Sequence, residues 1–392
     1  MNRERLWTKD FVTVSVINFL VFLTHLILMV IIASYAVDKF HASEKIAGLV
    51  AGIFIIGILI GRLGAGRIIE NKGSKRLLII GAIIYIITSV LYFVTINLQL
   101  LLIIRLLHGI AFGVTSTATG TIVAKIIPHN KLGEGIGYYG MSAILAVALG
   151  PFIGILLIQH ADYNMIFTVA SILAVITLAI SFVVSEQSCK SQKEVQVKAA
   201  KYFQFSNFLE FKAIPISIIA LIIGFSYSGV LTFMSLYSKQ IHLEEAAGFY
   251  FLVYAITVLI SRPFSGRLLD VKGANYIVYP SLFIFAVGML LLSQANQGII
   301  LLLAGAINGL GYGNFISCAQ AISIKLVPPH RLGLATATFF IFVDLGFGVG
   351  PYVLGSLVPF TGYRGLYLMM SIVIFAAIIL YYFLHGRRAL SE

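Results

Sequence analysis

The sequence predicts an all-α membrane protein in which twelve transmembrane helices form two pseudo-symmetric six-helix bundles. Three observations carry this. Hydrophobic residues make up 59% of the 392 positions and charged residues 11%, with a mean hydropathy of +1.00, so a soluble core of this size would lack polar surface to cover it. The apolar residues fall in twelve continuous runs of about 18 to 25 residues, the length that crosses a hydrocarbon slab of about 30 Å as a helix. Barrel strands would instead alternate in stretches of about ten. Finally, the chain matches itself, without a gap, at an offset of 200 positions. Glu44 meets Glu244, Arg62 meets Arg262, Gly66-Arg67 meets Gly266-Arg267, Glu70 meets Asp270 and Lys72-Gly73 meets Lys272-Gly273. Gly109, Gly113, Lys125, Pro128, Leu132-Gly133 and Gly150-Pro151 likewise recur at 309, 313, 325, 328, 332–333 and 350–351. An ordered series of this length marks one fold unit used twice.

In chain order the expected spans are 11–36, 45–69, 76–96, 99–126, 134–159 and 163–185, then 213–238, 245–269, 276–294, 298–326, 333–358 and 365–385. The halves are therefore 1–185 and 213–392, joined by a polar linker at 186–212 that carries SEQSCKSQKEVQVKAAK. The first run, behind Arg3, Arg5 and Lys9, is too long for a signal peptide and has no small-residue cleavage site, so it stays as the first span. Cys189 and Cys318 have neither the number nor the spacing for a disulfide framework or a metal site.

The formal net charge of +12 does not point to nucleic acid. Of the 27 lysines and arginines, twenty fall on the side of the termini and the linker, four on the other side, and Arg62, Arg105 and Arg262 lie inside spans. That asymmetry places both termini and the linker in the cytoplasm of a multi-pass cell-membrane protein. Connections on the opposite side, such as Ile96-Asn97-Leu98, leave no room for an extracellular domain, so functional groups are sought within the spans.

The first span carries Asn18, Phe22, His25 and Met29 on one helical stripe. In the fourth, Arg105, His108, Phe112, Thr115, Ser116 and Thr119 form a polar arc that reads as a cavity wall. Beside it run Gly109, Gly113 and Gly120, a stripe for close helix contact. The seventh span has Ser226, Tyr227, Ser228 and Thr232, the tenth Asn308, Asn314 and Gln320. Asp344, in the eleventh, is the one carboxylate of fifteen placed well inside a span. Intramembrane charge is expensive and therefore marks function by default. Arg105 and Asp344 are functional candidates on that ground, Asp344 with a fixed salt bridge as its rival role. A lone intramembrane histidine is more often structural, which weighs against His25 and His108. Arg62 and Arg262 suit gate or packing roles.

With these residues in place, the chain resembles the major facilitator superfamily, and within it the twelve-span drug:proton antiporter branch. The resemblance covers nearly the whole chain and implies the major facilitator fold. Its first motif corresponds to Gly66, Glu70, Gly73, Lys75 and Arg76, with Glu70 in place of the usual Asp; the second copy keeps Gly266, Asp270 and Gly273 but not the basic tail. In the family this loop latches the cytoplasmic side, its carboxylate near the N-terminus of the eleventh helix. The family's fourth-span arginine corresponds to Arg105 and is associated with proton coupling. The antiporter signature appears as Ala146, Gly150, Pro151, Gly154 and Ile155, altered at two of five positions, with Gly350 and Pro351 forming a similar kink in the other half.

The resemblance thus implies a secondary transporter working by alternating access, in which two bundles rock about a midplane site and protons drive export of small amphipathic drugs or metabolites. Arg105, His108, Asp344 and His25 would carry coupling; Asn18, Phe22, Phe112, Tyr227 and Asn308 would line the substrate cavity. Three intramembrane arginines against one aspartate favour anionic, zwitterionic or neutral substrates. A dedicated exporter or uptake carrier of a sugar, organic anion or chelator is the alternative, and a non-transporting receptor or scaffold the remote one. With no Walker loop, GxSxG or metal cluster, the chain is not read as an enzyme, and no cofactor or metal is expected. The expected partners are substrate, protons and the bilayer, with the protein a monomer.

Overall fold

The computed structural model describes residues 6–128, 132–185, 209–328 and 331–387, with backbone only at 66–67, 69–72, 132–134, 136–137, 263, 270 and 332–333. Most of the expected linker, including Cys189, lies outside the described residues. Among those described, the chain is helical and contains no strand.

The first six helices are α1 (Lys9–Phe40), α2 (Glu44–Lys72), α3 (Ser74–Leu91), α4 (Leu98–Ile126), α5 (Leu132–His160) and α6 (Tyr163–Ser181), with a 3₁₀ turn at Tyr92–Val94. Their starts are fixed by polar caps. The Thr8 hydroxyl accepts from the Phe11 amide at 3.2 Å, Asn97 Oδ1 from Leu100 at 2.8 Å and Asp162 Oδ1 from Met165 at 2.9 Å, satisfying amides that the first turn leaves unpaired. The later helices are α7 (Ile214–Gln240), α8 (Glu244–Lys272), α9 (Asn275–Ser293), α10 (Gly298–Asn308), α11 (Asn314–Lys325) and α12 (Leu332–Tyr381).

Two elements differ from the expected spans. The tenth span, a single run in sequence, is α10 and α11 joined by a π turn at Gly309–Gly313. The eleventh and twelfth spans merge into α12, whose 50 residues would reach about 75 Å as one rod, more than twice the hydrocarbon thickness. Its backbone leaves the helical region once, at Gly362 (φ 64°, ψ 175°), so the crossings are still two, divided where the sequence places the division.

The motif expected as a loop after the second span is mostly helix. α2 runs on to Lys72 and α3 begins at Ser74; Gly73 alone reverses the chain, at φ 80° and ψ 151°. The second copy repeats this at Gly273, φ 87° and ψ 178°. Both fall in a region accessible essentially to glycine alone. Every other residue of the motif can then stay helical, which is why the reversal needs no longer connection.

Contacts divide the chain into two compact units, one comprising 1–41 and 53–195, the other 42–52 and 196–392. In the first, α4 closes on α2 through glycine: a β-carbon at Gly109 would meet the Phe54 carbonyl, and one at Gly113 the Ile58 carbonyl. α5 closes on α1 the same way, Gly150 against Leu26 and Gly154 against Ile27. Gly120 differs from the expected stripe, since nothing lies within 4 Å of where its side chain would be.

The second unit repeats the α1–α5 contact in its own helices, with Gly346 against the Leu221 carbonyl and Gly350 against Phe225 and Ser228. It also holds the first turns of α2. Gly48 abuts the Pro351 carbonyl, Gly52 that of Gly348, Gly355 that of Glu44, and the Lys45 ammonium sits 5.1 Å from the Tyr352 ring centre. A buried acid here was missed in sequence. Glu210, in the expected linker, pairs with Arg331 Nε at 2.8 Å, and its backbone amide donates to Thr338 Oγ1 at 2.8 Å. Its repeat partner Asp10 accepts from the Ser185 amide at 3.1 Å.

Replacing Gly73 or Gly273 by alanine should each cost about 1 to 3 kcal/mol through backbone strain. Gly64→Ala, at an open helical position, should instead be neutral or gain up to about 1 kcal/mol. Thermal unfolding of the purified protein in one detergent checks both signs.

Candidate functional site

The first unit gathers four of the expected candidates around a residue the sequence reading passed over, Phe54 of α2. The His25 ring of α1 stacks on it at 4.3 Å and 5°. The Arg105 guanidinium of α4 stands 4.5 Å from the same ring centre, while His108 and Phe112 meet it edgewise at 5.5 and 5.7 Å. Phe54 thus has a parallel imidazole and a guanidinium both within 4.5 Å of its ring centre. Phe22 closes the group from α1, 5.0 Å from Phe112.

These positions follow from local structure. Arg105, His108 and Phe112 lie three and four residues apart on α4, hence on one face. Gly109, between them, lets α4 approach α2 until Phe54 reaches that face. Arg105, although charged, is 0% exposed, as is His108. The polar arc is thus a packed interior rather than the open wall expected: Thr115 and Thr119 are buried too, and Ser116 is half-buried.

Two tyrosines complete the cluster. Arg105 Nη1 donates to Tyr92 Oη at 3.4 Å, and Tyr92 Oη lies 3.1 Å from His108 Nδ1. Tyr85 faces His108 at 4.4 Å between ring centres but spends its hydroxyl on the Val21 carbonyl, at 3.0 Å. Two imidazole nitrogens, His25 Nδ1 and His108 Nε2, are buried without a hydrogen-bond partner. The internal repeat holds a signal for part of this, because Phe54, Tyr85, His108 and Phe112 recur as Tyr254, Phe285, Asn308 and Tyr312. Tyr92 has no such signal; its counterpart is Leu292.

Asn18 belongs to a separate network. Its amide donates to Ser142 Oγ at 2.8 Å and accepts from Tyr139 Oη at 2.9 Å, and Tyr139 also lies 2.9 Å from Thr119. This joins α1, α4 and α5 through both the nitrogen and the oxygen of the amide.

The remaining candidates lie in the second unit. Tyr227 stacks on Tyr312 at 4.0 Å and on Tyr254 at 5.4 Å, and is buried. Asn308 is buried and donates to Tyr250 Oη at 2.7 Å. Where the first unit has Arg105 the second has Gly305, packed against Tyr250, so the aromatic frame repeats without its charge. Asp344 is half-buried within electrostatic range of Tyr312.

Of the gate candidates, Arg62 is half-buried, Arg262 donates to Ser317 Oγ at 2.8 Å, Lys75 is half-buried and Arg76 exposed. Gly266 is half-buried with open space at its β-position. Gly66, Glu70 and Asp270 sit in helical backbone, their side chains outside the described residues. Pro151 and Pro351 lie inside α5 and α12, and Pro280 and Pro359 inside α9 and α12. Among the described residues no cluster of three or more metal-ligating side chains occurs.

The chain matches the family model described as Major Facilitator Superfamily over residues 14–298 and 245–391. It is 24% identical to an uncharacterized MFS-type transporter of Methanocaldococcus jannaschii, covering 94% of both chains. It is 21% identical to the staphylopine export protein of Staphylococcus aureus, over 86% of this chain and 87% of that protein. Among solved structures it is similar to a bacterial homolog of the human lysosomal transporter Spinster, with TM-score 0.79, 14% identity and 97% coverage of both. The nucleoside transporter NupG gives 0.72 at 14% identity, over 95% of this chain and 99% of that one.

Gly109→Val or Gly113→Val should push α4 off α2 and sharply reduce the yield of folded protein, whereas Gly120→Val should leave it close to wild type. Size-exclusion chromatography of the fluorescently tagged variants after detergent extraction reads the difference.

Proposed function

Because the chain belongs to the Major Facilitator Superfamily, we propose that this transporter exports small amphipathic molecules, drugs or metabolites, by alternating access coupled to inward proton movement. The observation that carries the reading is the buried cluster in which Arg105, His108 and His25 meet around Phe54. A permanent charge and two titratable rings held in the membrane interior are costly to keep and suited to binding and releasing a proton. Asp344 supplies a carboxylate for the same work in the second unit. Phe22 and Phe112, at the rim of the cluster, together with Asn18, Tyr227 and Asn308, serve the substrate. Gly73, Lys75, Arg76 and their repeat control the cytoplasmic side. The excess of intramembrane arginine favours substrates that are anionic, zwitterionic or neutral. The protein acts as a monomer in the cell membrane with both termini cytoplasmic, in keeping with the lysine and arginine asymmetry.

A second reading, export of one dedicated metabolite, is favoured by similarity to a relative whose name ties it to a single compound. A panel of amphipathic probes separates the two by breadth.

In energised everted vesicles, accumulation of a radiolabelled carboxylated amphiphile should collapse on adding a protonophore. Arg105→Gln should lower the gradient-driven rate by tenfold or more, about 1.4 kcal/mol or above, while sparing substrate exchange at equal pH. Accumulation indifferent to the protonophore would remove proton coupling from the reading.

A further inference from the structure

Tyr92 bonds two groups with opposite demands. Arginine has only donors to offer, so at the 3.4 Å contact Tyr92 Oη accepts from Arg105 Nη1. Its own hydrogen is then free for the other neighbour, His108 Nδ1 at 3.1 Å. If that hydrogen is given to Nδ1, the nitrogen accepts and carries no proton, and the neutral ring holds its hydrogen on Nε2. We propose that Tyr92 is a positioning residue that locks His108 as its Nε2–H tautomer, leaving His25 to carry the coupling proton. This rests on the proton-coupling reading above.

The surroundings of the two rings support the division. For His108 to become imidazolium, the Tyr92 hydroxyl would have to turn away, and its oxygen would accept from two cations in a buried, aromatic-lined space. Like charges so placed repel strongly at low dielectric. Tyr85 offers no relief, because its hydroxyl is committed to the Val21 carbonyl. His25 is placed otherwise. It stacks on the Phe54 ring that Arg105 also approaches, and an electron-rich ring face favours a cation. Its Nδ1 is buried and unpartnered, open to accept, and the residue retains 7% exposure where His108 has none. The charges bearing on His25 are Arg62 from α2 and Arg105 from α4, with neutral His108 beside them; among the described residues of α5 and α6 no charged group joins them. Loading is then one step: a hydronium gives its proton to His25 Nδ1 and leaves as water, and unloading reverses it. His108, as a fixed donor at Nε2, orients what binds there without changing protonation.

Histidine-selective ¹⁵N NMR of the full chain in lipid nanodiscs tests this, with His108→Gln and His25→Gln assigning the two resonances. Across the pH range over which vesicle transport responds, His108 should keep the Nε2–H signature while His25 gains and loses its proton. In Tyr92→Phe, His108 should shift toward the Nδ1–H form or begin to titrate, and the pH profile of vesicle transport should move with it. Wild-type His108 seen as Nδ1–H or as imidazolium near neutral pH overturns the proposal, and does so even if the variant fails to fold. A locked His108 and a titrating His25 in a protein whose transport ignores the pH gradient would instead uphold the tautomer assignment and defeat the coupling reading.

Discussion

A guanidinium keeps its proton inside a protein, so burying Arg105 commits the first unit to surrounding a permanent charge with groups that tolerate it. An arginine at the centre of a membrane helix costs about 2.5 to 3.5 kcal/mol on insertion scales. A desolvated cation–π contact such as that with Phe54 returns about 2 kcal/mol. A hydrogen bond to a charged group, as with Tyr92, adds about 1.5 to 3 kcal/mol. The two together offset the penalty, and neither does so alone with any margin. Phe54 and Tyr92 thus help hold the charge, and both also touch the histidines, Phe54 meeting His25 and His108 and Tyr92 bonding His108.

That arrangement depends in turn on backbone proximity. Between lipid-embedded helices the hydrophobic effect supplies little, and close packing has to replace it. Gly109 and Gly113 bring α4 onto α2, and Gly150 and Gly154 bring α5 onto α1. The second unit keeps this scaffold, with Gly346 and Gly350 in the matching role, and keeps the aromatic frame at Tyr254, Phe285 and Tyr312. It has Gly305 where the arginine stands, and Asn308 donates to Tyr250 there. One scaffold thus holds two different chemistries, and the divergence is confined to a few side chains.

Much of this was legible in the sequence. Run lengths gave the helical spans, because a crossing length depends on composition; the self-match singled out Gly73 and Gly273, though not that each alone reverses the chain. Arg105, His25, His108 and Phe112 were legible because polar atoms in apolar runs stand out. Phe54 is marked only by its recurrence as Tyr254, and Tyr92 not at all, since one aromatic among many says little until a neighbour reveals what it faces. Glu210 was missed for a related reason: its polar context reads as linker, and only the fold turns it toward Arg331 and Thr338. Gly120 shows the converse error, a residue in perfect register with a packing stripe that meets no helix.

The π turn at Gly309–Gly313 bears on how the two halves compare. A π turn takes up more residues per revolution than the α-helix around it. The fourth span, with the same glycines at 109 and 113, continues as regular α-helix to Ile126. The numerical correspondence between the halves nevertheless runs on unbroken to Lys325, and so does the order of buried and half-buried positions from 114 to 123 and from 314 to 323, so the turn is absorbed locally. Asn314 bonds Ser261 and Ser265, where its counterpart Val114 has no polar group to offer, so the same place in the repeat carries a polar tie in one half alone.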